Sequence, residues 1–381
     1  MLSDRVIIVR GNFAEGNFGD DALLLAVRGL LSRHYCDSRI LFDCPKLANR
    51  HNHLRNARVV APGDVMRAAA ILYGGGTQFF SFPGASNHEG KSLRRLLRTL
   101  RHPKRLVSGF RGRRRLRFEA TLPKVGVGLG CGPFVAGSTE ERATQTLLKQ
   151  MRFLWVRDAV SVAFCQKTGI RAVTQAPDLC FLPSFQAQYI PHRMSTRMPV
   201  SPQVGIVLRD WRYGTGDLMS AKEYLKCGAI CRQNGMRVRF FVFSPDRDTS
   251  TMRQLNEAGE MPVCWTAESM QVEEYVLLLD SCDVLVTSRF HGAVFALLLG
   301  KPFVAIEIEP KLKGASELYR GQDILVEPRI APSDLFHRIQ HIFEHLGEYN
   351  AQAIRVRDEL TERATDAQAE FDTSITTIVE L

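Results

Sequence analysis

Residues Asp280–Ile308 read DSCDVLVTSRFHGAVFALLLGKPFVAIEI. Val284-Leu285-Val286 has the character of a short buried strand, and Thr287 to Gly292 that of a polar turn. Ala293 to Leu299 predicts an apolar helix, closed by Gly300 and Lys301-Pro302, and Phe303 to Ile306 is the next strand. Strand, turn, helix and strand in that order are the unit of an α/β fold with a parallel sheet. In such sheets ligands gather beyond the C-terminal strand ends, where helix N-termini direct N–H groups at anions. Arg289 and His291 fall at that point. A guanidinium is a fixed fork of donors for phosphate or carboxylate, and an imidazole exchanges a proton near neutral pH. The alternative is an Arg–His pair that caps a helix and meets surface carboxylates.

With 381 residues the chain is long for one core, so two domains are expected. Hydrophobic residues at 45% and charged residues at 24% are ordinary for a soluble globular protein. No apolar run reaches the roughly 18 residues of a membrane-spanning helix. The N-terminal MLSDRVIIVRGNF carries Asp4 and Arg10 around a short apolar run and reads as a first strand rather than a signal peptide. The nine cysteines contain no CxxC, and Cys227 and Cys231 suit one buried helix face as well as a metal. Reduced core thiols of a cytoplasmic protein are the expectation.

The net charge is +10, and eleven basic residues with no acid lie within residues 92–118. SLRRLLRTLRH places Leu93, Leu96, Leu97 and Leu100 on one helical face among arginines. Such a helix fits an anionic membrane surface or a polyanion; a solvated charged insertion fits the same residues. Nucleic acid is not expected, because aromatic interleaving and a nucleic-acid fold signature are absent.

Taken in order, Val6-Ile7-Ile8-Val9 is strand one. Gly11 to Asp21 is a longer loop than a connection needs and is expected to face a ligand, with Asp20 or Asp21 capping the helix ALLLAVRGLL. Its spacing is not GxGxxG, so no dinucleotide fingerprint is read. Ala70 to Thr77 is a strand ending in Gly74, Gly75 and Gly76, where a substrate could approach the backbone. Pro123 to Pro133 alternates glycine with apolar residues, as in a buried strand whose glycine face packs closely. Ser138 or Thr139 caps the next helix, and Phe153 to Val156 is a strand with Arg157-Asp158 at its C-terminal end. Arg157 is a candidate anion ligand there, or a partner of Asp158 at a helix start. The proline-rich stretch after Pro183 reads as a linker. The second half restarts with Val204 to Leu208, then Arg209-Asp210-Trp211, a helix over Ser220 to Asn234 and the strand Val238 to Phe243. Residues from Pro332 onward read as amphipathic helices. The expected divisions are 1–183, a linker at 184–202, 203–345 and a C-terminal helix at 346–381.

GNFGDDALL, ILYGGGTQFF, KVGVGLGCGP, WVRDAVS, APDLCF and SRFHGAVFALLLGKPFVAI followed by KLKG, in this order, resemble the polysaccharide pyruvyl transferases. The resemblance covers most of the chain and implies two Rossmann-like domains facing a cleft, of the GT-B type. It also implies transfer of a pyruvyl group from phosphoenolpyruvate onto two hydroxyls of a sugar, forming a cyclic ketal. The chain departs from the family pattern in residues 92–118 and in Phe290, which stands where an aliphatic residue is usual.

On that resemblance Arg157, Arg289 and Lys311 would bind the donor's phosphate and carboxylate, and His291 would be the acid. Asn17, Asp20 and the Gly74–Gly76 backbone would hold the acceptor. The scheme needs no metal or other cofactor. A cell-envelope exopolysaccharide or its lipid-linked precursor is the implied acceptor, at the cytoplasmic face of a membrane. Two alternatives stay open: a GT-B glycosyltransferase using a nucleotide sugar, and an inactive homologue that binds a membrane surface or polyanion. The basic stretch predicts binding to anionic vesicles that weakens with salt, each basic residue near the surface contributing on the order of 1 kcal/mol. Co-sedimentation of the intact chain and of a chain lacking residues 92–118 checks this, and equal pelleting of the two would refute it.

Overall fold

In a computed structural model, residues 5–44, 57–61, 63–81, 117–191, 201–211, 220–319 and 324–380 are described. The basic stretch expected to meet a membrane thus lies outside the described residues, except for its last two positions. Two compact units are present. One comprises Met1–Glu15, Ala22–Leu182 and Arg363–Leu381, the other Gly16–Asp21 and Pro183–Glu362. The sequence reading ran each domain as one continuous stretch, whereas both units here take residues from distant parts of the chain.

The first unit is built on β1 (Val6–Arg10), β2 (Ile40–Phe42), β3 (Arg58–Val59), β4 (Ala68–Phe79), β5 (Lys124–Cys131), β6 (Met151–Val156) and β7 (Thr174–Gln175). Among the described residues these form a seven-stranded sheet in the order β3-β2-β1-β4-β5-β6-β7. Every pairing is parallel. The order reverses between β1 and β4, which is where open α/β sheets form a crevice. Helix α1 (Phe18–Leu31) follows β1, α2 (Thr139–Leu148) precedes β6, and α3 (Ala159–Lys167) follows it. Ser138 caps α2 by accepting from Glu141 N at 3.1 Å, and Asp158 caps α3 by accepting from Ser161 N at 2.8 Å. Both caps satisfy helix-end donors, as their place before an apolar run predicts. At α1 the structure differs: the helix starts at Phe18, so Asp20 and Asp21 lie inside its first turn. The backbone of Asn17 accepts from Asp21 N at 3.0 Å. Glycine and asparagine had suggested a loop there, but burial of Phe18 decides the start.

The second unit opens with α4 (Pro183–Tyr189). That helix occupies the start of the expected linker, because Phe185 is buried against Phe295 at 6.4 Å between ring centroids. β8 (Gln203–Leu208), α5 (Ala221–Gln233), β9 (Arg237–Val242), α6 (Thr249–Glu257), β10 (Val263–Cys264) and α7 (Val272–Asp280) follow. Then come β11 (Val284–Thr287), α8 (Phe290–Leu298), β12 (Phe303–Ile306), α9 (Pro310–Glu317), β13 (Leu325–Val326) and α10 (Pro332–Glu344). The strands form a six-stranded parallel sheet, β10-β9-β8-β11-β12-β13, among the described residues. Its order reverses between β8 and β11, so the topology repeats that of the first unit. α11 (Leu346–Glu380) is the last helix, and its residues from Arg363 belong to the first unit. Among the described residues no helix is long and apolar enough to cross a membrane.

Phe18 is wholly buried in the second unit. Its ring lies 4.6 Å from Tyr275, 4.7 Å from Phe295, 5.0 Å from Phe243 and 5.2 Å from Trp265. Its amide donates to Phe243 O at 2.9 Å, and Trp265 Nε1 donates to Asp21 at 2.8 Å. Aromatic pairs of this kind each add about 0.5–1.5 kcal/mol beyond their area burial.

The glycine face expected of β5 is real. A Cβ on Gly126 would lie 2.7 Å from both Leu129 Cδ1 and Met151 Sδ. Gly128 has φ +61° and would bring a Cβ to 2.6 Å from Leu179 Cγ. Gly128→Ala should therefore lower stability by about 2–4 kcal/mol, combining left-handed backbone strain with overpacking. The shift in urea midpoint measures it, and an unchanged midpoint would contradict the packing described.

Candidate functional site

Four strands of the second unit deliver charged residues to their C-terminal ends. Arg209 follows β8, Asp248 lies in the β9–α6 connection, Arg289 follows β11, and Glu309 follows β12. This is the edge on which the strand order reverses. The turn after β11 is set by Thr287, whose hydroxyl accepts from Arg289 N at 3.0 Å and donates to Arg289 O at 2.8 Å. Gly292 fits because a Cβ there would sit 2.0 Å from Thr287 Oγ1. The tight turn makes Arg289 the N-cap of α8 and puts His291 in its first turn. The sequence reading began this helix three residues later, at Ala293.

The cations are held by buried carboxylates. Arg289, only 9% exposed in its side chain, pairs through Nη2 with Asp248 and donates from Nε to Leu208 O at 3.3 Å. Burial lowers the Arg289 guanidinium below its usual range, with Asp248 opposing that shift and Arg209 adding to it. Glu309 is 5% exposed in its side chain and joins two cations: Arg209 Nη1 at 2.7 Å and Lys311 Nζ at 3.1 Å. Burial pushes the Glu309 carboxyl upward, but Arg209 and Lys311 outweigh it and hold the group below its usual value. The Arg209 guanidinium also lies over Trp211, 4.5 Å from the ring centroid. Asp210 accepts from Ser250 N, Thr251 N and Thr251 Oγ1 at 2.8, 3.0 and 2.7 Å, fixing the start of α6 beside Asp248.

Lys311 stands in the first turn of α9, after Glu309 as N-cap and Pro310. A cation there opposes the helix dipole, as does Arg289 at the start of α8. Positive charge at two helix N-termini is unfavourable for the bare protein and favourable for a bound anion.

His291 is reached from the first turn of α1. Gly19 lies so close that a Cβ would fall 2.2 Å from His291 Nδ1 and 2.4 Å from Cγ. Asn17 and Asp20 stand on the same turn, with Asn17 Nδ2 donating to Asp20 at 2.8 Å. All of these belong to the second unit.

In the first unit, Arg157 is 1% exposed in its side chain. Its Nη1 donates to Asp178 at 3.0 Å and its Nη2 to Thr77 Oγ1 at 2.8 Å. Gly130 leaves room for this, since a Cβ would come 3.1 Å from Arg157 Nε. Asn12 Nδ2 donates to Thr77 O at 3.2 Å. Gly74, Gly75 and Gly76 are buried. A Cβ on Gly74 would meet Val27 at 2.7 Å and one on Gly75 would meet Leu23 at 2.9 Å, both on α1. Gln78 Nε2 donates to Gly74 O at 2.8 Å and Gly75 O at 3.0 Å. At Gly74 and Gly75 the side a Cβ would occupy is filled by α1. For cations, His341, Glu344 and His345 bring ligand atoms within 4.8 Å of one another at the exposed end of α10, among the described residues.

Of the residues named from the sequence, Arg289, His291 and Lys311 stand at adjacent strand ends of the second unit, where Arg209, Asp248, Glu309 and Gly19, not named as site residues from the sequence, meet them. Arg209 had the available signal, an arginine directly after a strand.

The family model of the polysaccharide pyruvyl transferases matches residues 17–310. The chain belongs to that family. Membership makes it a transferase acting on polysaccharide. No curated protein sequence matches significantly. Among solved structures, Anabaena Alr3699/HepE in complex with UDP-glucose is similar at TM-score 0.55 and 14% identity, covering 98% of this chain and 99% of that one. A glycosyltransferase from Rickettsia africae gives TM-score 0.54 at 10% identity, covering 98% of each chain. UDP-GlcNAc 2-epimerase from Neisseria meningitidis, bound to UDP-GlcNAc, gives 0.52 at 11%, covering 98% of this chain and 100% of that one. At these identities the likeness concerns the fold, which is of the GT-B type.

Because Glu309 is held below its ordinary value of 4.5 in the folded chain, its ion pairs contribute stability above that pH. The contribution is lost as pH falls through the depressed folded value. Glu309→Gln should therefore destabilise most near neutral pH, and its deficit against the parent chain should shrink under acid. Urea midpoints at pH 7 and below pH 4 check the sign; a deficit that grows with acidity would contradict it.

Proposed function

We propose that this family member transfers a pyruvyl group from phosphoenolpyruvate to two hydroxyls of one sugar, releasing phosphate. The supporting observation is the set of cations at the N-terminal turns of α8 and α9, held by Asp248 and Glu309 beside His291. Phosphoenolpyruvate carries two anionic groups, and fixed cations are what such a donor requires. His291 gives a proton to the enol methylene, which becomes a methyl group. One sugar hydroxyl then bonds to C2 and loses its proton. The second hydroxyl bonds to the same carbon as the C2–O bond to phosphate breaks, its proton leaving with phosphate or to water.

Arg289 and Lys311 serve the donor directly in this reading. Arg157, already turned onto Asp178 and Thr77, serves it less directly than the family resemblance implies. The acceptor is assigned to Asn17 and Asp20, on the turn that abuts His291, rather than to Gly74–Gly76. No metal takes part in the scheme. The acceptor is a lipid-linked or polymeric sugar, consistent with the basic residues 92–118 and an anionic membrane surface at the cytoplasmic face.

A second reading is transfer from a nucleotide sugar, favoured by the UDP-sugars bound in the structural neighbours. Thermal stabilisation by phosphoenolpyruvate but not by UDP-sugars supports the first reading; the reverse supports the second. The direct test is incubation with phosphoenolpyruvate and galactosides, glucosides or mannosides, free and lipid-linked, following phosphate release and product mass. In that assay His291→Ala should reduce turnover about 10²–10⁴-fold, the usual cost of losing a general acid, with an unchanged melting temperature. Near-normal turnover at saturating donor would refute the assignment.

A further inference from the structure

Pyruvyl transfer leaves unused a group of three exposed residues at the end of α10: His341, Glu344 and His345. Each offers one ligand atom, and these atoms all lie within 4.8 Å of one another. The spacing accounts for the convergence, since positions three and four along from His341 fall on its own helix face, to either side of it. The ring centroids of His341 and His345 are 4.6 Å apart, with the planes inclined at 62°. Glu344 is oriented by Gln340, whose Nε2 donates to Oε1 at 3.0 Å. His345 is the C-cap of α10 and immediately precedes α11. Its amide donates to His341 O at 3.2 Å, and its carbonyl accepts from Glu348 N at 3.0 Å and Tyr349 N at 3.2 Å. The backbone of this ligand is therefore held from both helices. Arg338 and Glu348 are the next charged residues along the chain on either side, and their charges offset.

We propose that His341, Glu344 and His345 form a site for a divalent transition metal of the zinc class, with water completing the coordination shell. Two imidazoles and one carboxylate are a zinc ligand set, whereas magnesium and calcium favour oxygen ligands throughout. Zinc bonds of about 2.0–2.2 Å in a tetrahedron separate ligand atoms by roughly 3.3–3.6 Å. Side chains exposed to water close that gap by turning about their own bonds, and the backbone stays in place. The role is structural. The ion ties the last turn of α10 to the residue from which α11 departs, and α11 is the helix whose residues from Arg363 belong to the first unit. This inference is independent of the donor and of the reaction proposed for the strand-end residues.

The test uses the full chain without an affinity tag. Zinc chloride is titrated in competition with a chromophoric chelator, and melting curves are taken with zinc, with magnesium and with neither. The chain has ten histidines and nine cysteines, so the difference between parent and variant is the quantity read. The parent should bind zinc saturably and melt higher with it, and magnesium should leave the melting temperature unchanged. His341→Ala and His345→Ala alter exposed side chains and are expected to fold, which the metal-free melting curves verify. If either fails to fold, His341→Gln or His345→Gln replaces it. Each variant should weaken zinc about tenfold or more, since even a residue that only orients a ligand is worth about 10–100-fold. His337→Ala, one turn earlier on α10, should leave zinc affinity within about twofold. Zinc bound equally by a chain carrying both His341→Ala and His345→Ala would overturn the site. So would a parent chain without saturable binding, or a loss in His337→Ala as large as in His341→Ala.

Discussion

Cations cannot be gathered at a strand edge out of water without carboxylates to hold them. Taking a single charge out of water costs several kcal/mol, and only good pairing geometry offsets it. In the second unit Asp248 and Glu309 meet this constraint, and much of the local architecture serves them. Asp210 fixes the start of α6, which carries Asp248 as its cap. Pro310 and the α9 turn set Glu309 where Arg209 and Lys311 both reach it. Thr287 and Gly292 close the β11 turn so that Arg289 meets Asp248. These are also the strands on either side of the order reversal, so the topology and the charge arrangement select the same edge.

Much of the fold was legible because its signals are local. Strand–turn–helix–strand punctuation in Asp280–Ile308 gave the parallel sheet, and alternating glycines gave the close-packed face of β5. Ser138 and Asp158 announced helix starts by residue type and place. The start of α8 was misjudged because the reading weighed Arg289 to Gly292 as polar turn residues, while a threonine hydroxyl bonding two residues ahead brings the helix forward. The place of Phe18 was not legible at all. Its partners lie more than 200 positions away, and nothing in GNFGDD states which core will receive an aromatic ring.

The candidate site shows the same division. Arg289, His291 and Lys311 were readable from a general rule about strand ends together with the family resemblance. Arg209 obeys that rule equally, but an arginine before Asp210-Trp211 attracts no attention until Glu309 is seen beside it. Acids that orient cations are harder still, since a lone Asp or Glu after a strand reads as a cap or a surface group. A run of glycines announces that something approaches the backbone closely but does not say what; at Gly74 it is Val27 and at Gly75 it is Leu23, both on α1.

Phe18 also bears on how the chain comes into being. It leaves the ribosome long before its partners, since every aromatic ring that encloses it lies beyond position 240. At synthesis rates of about 5–20 residues per second, it waits on the order of tens of seconds for Phe295 to be made. The nascent first unit can pair its strands in that interval, but the turn that carries Phe18 has no core to enter. Domain-by-domain maturation from the N-terminus is therefore incomplete by construction. The core that receives Phe18 is thus made long after Phe18 itself, and an apolar ring without its partners for that long is a natural point for a chaperone to grip.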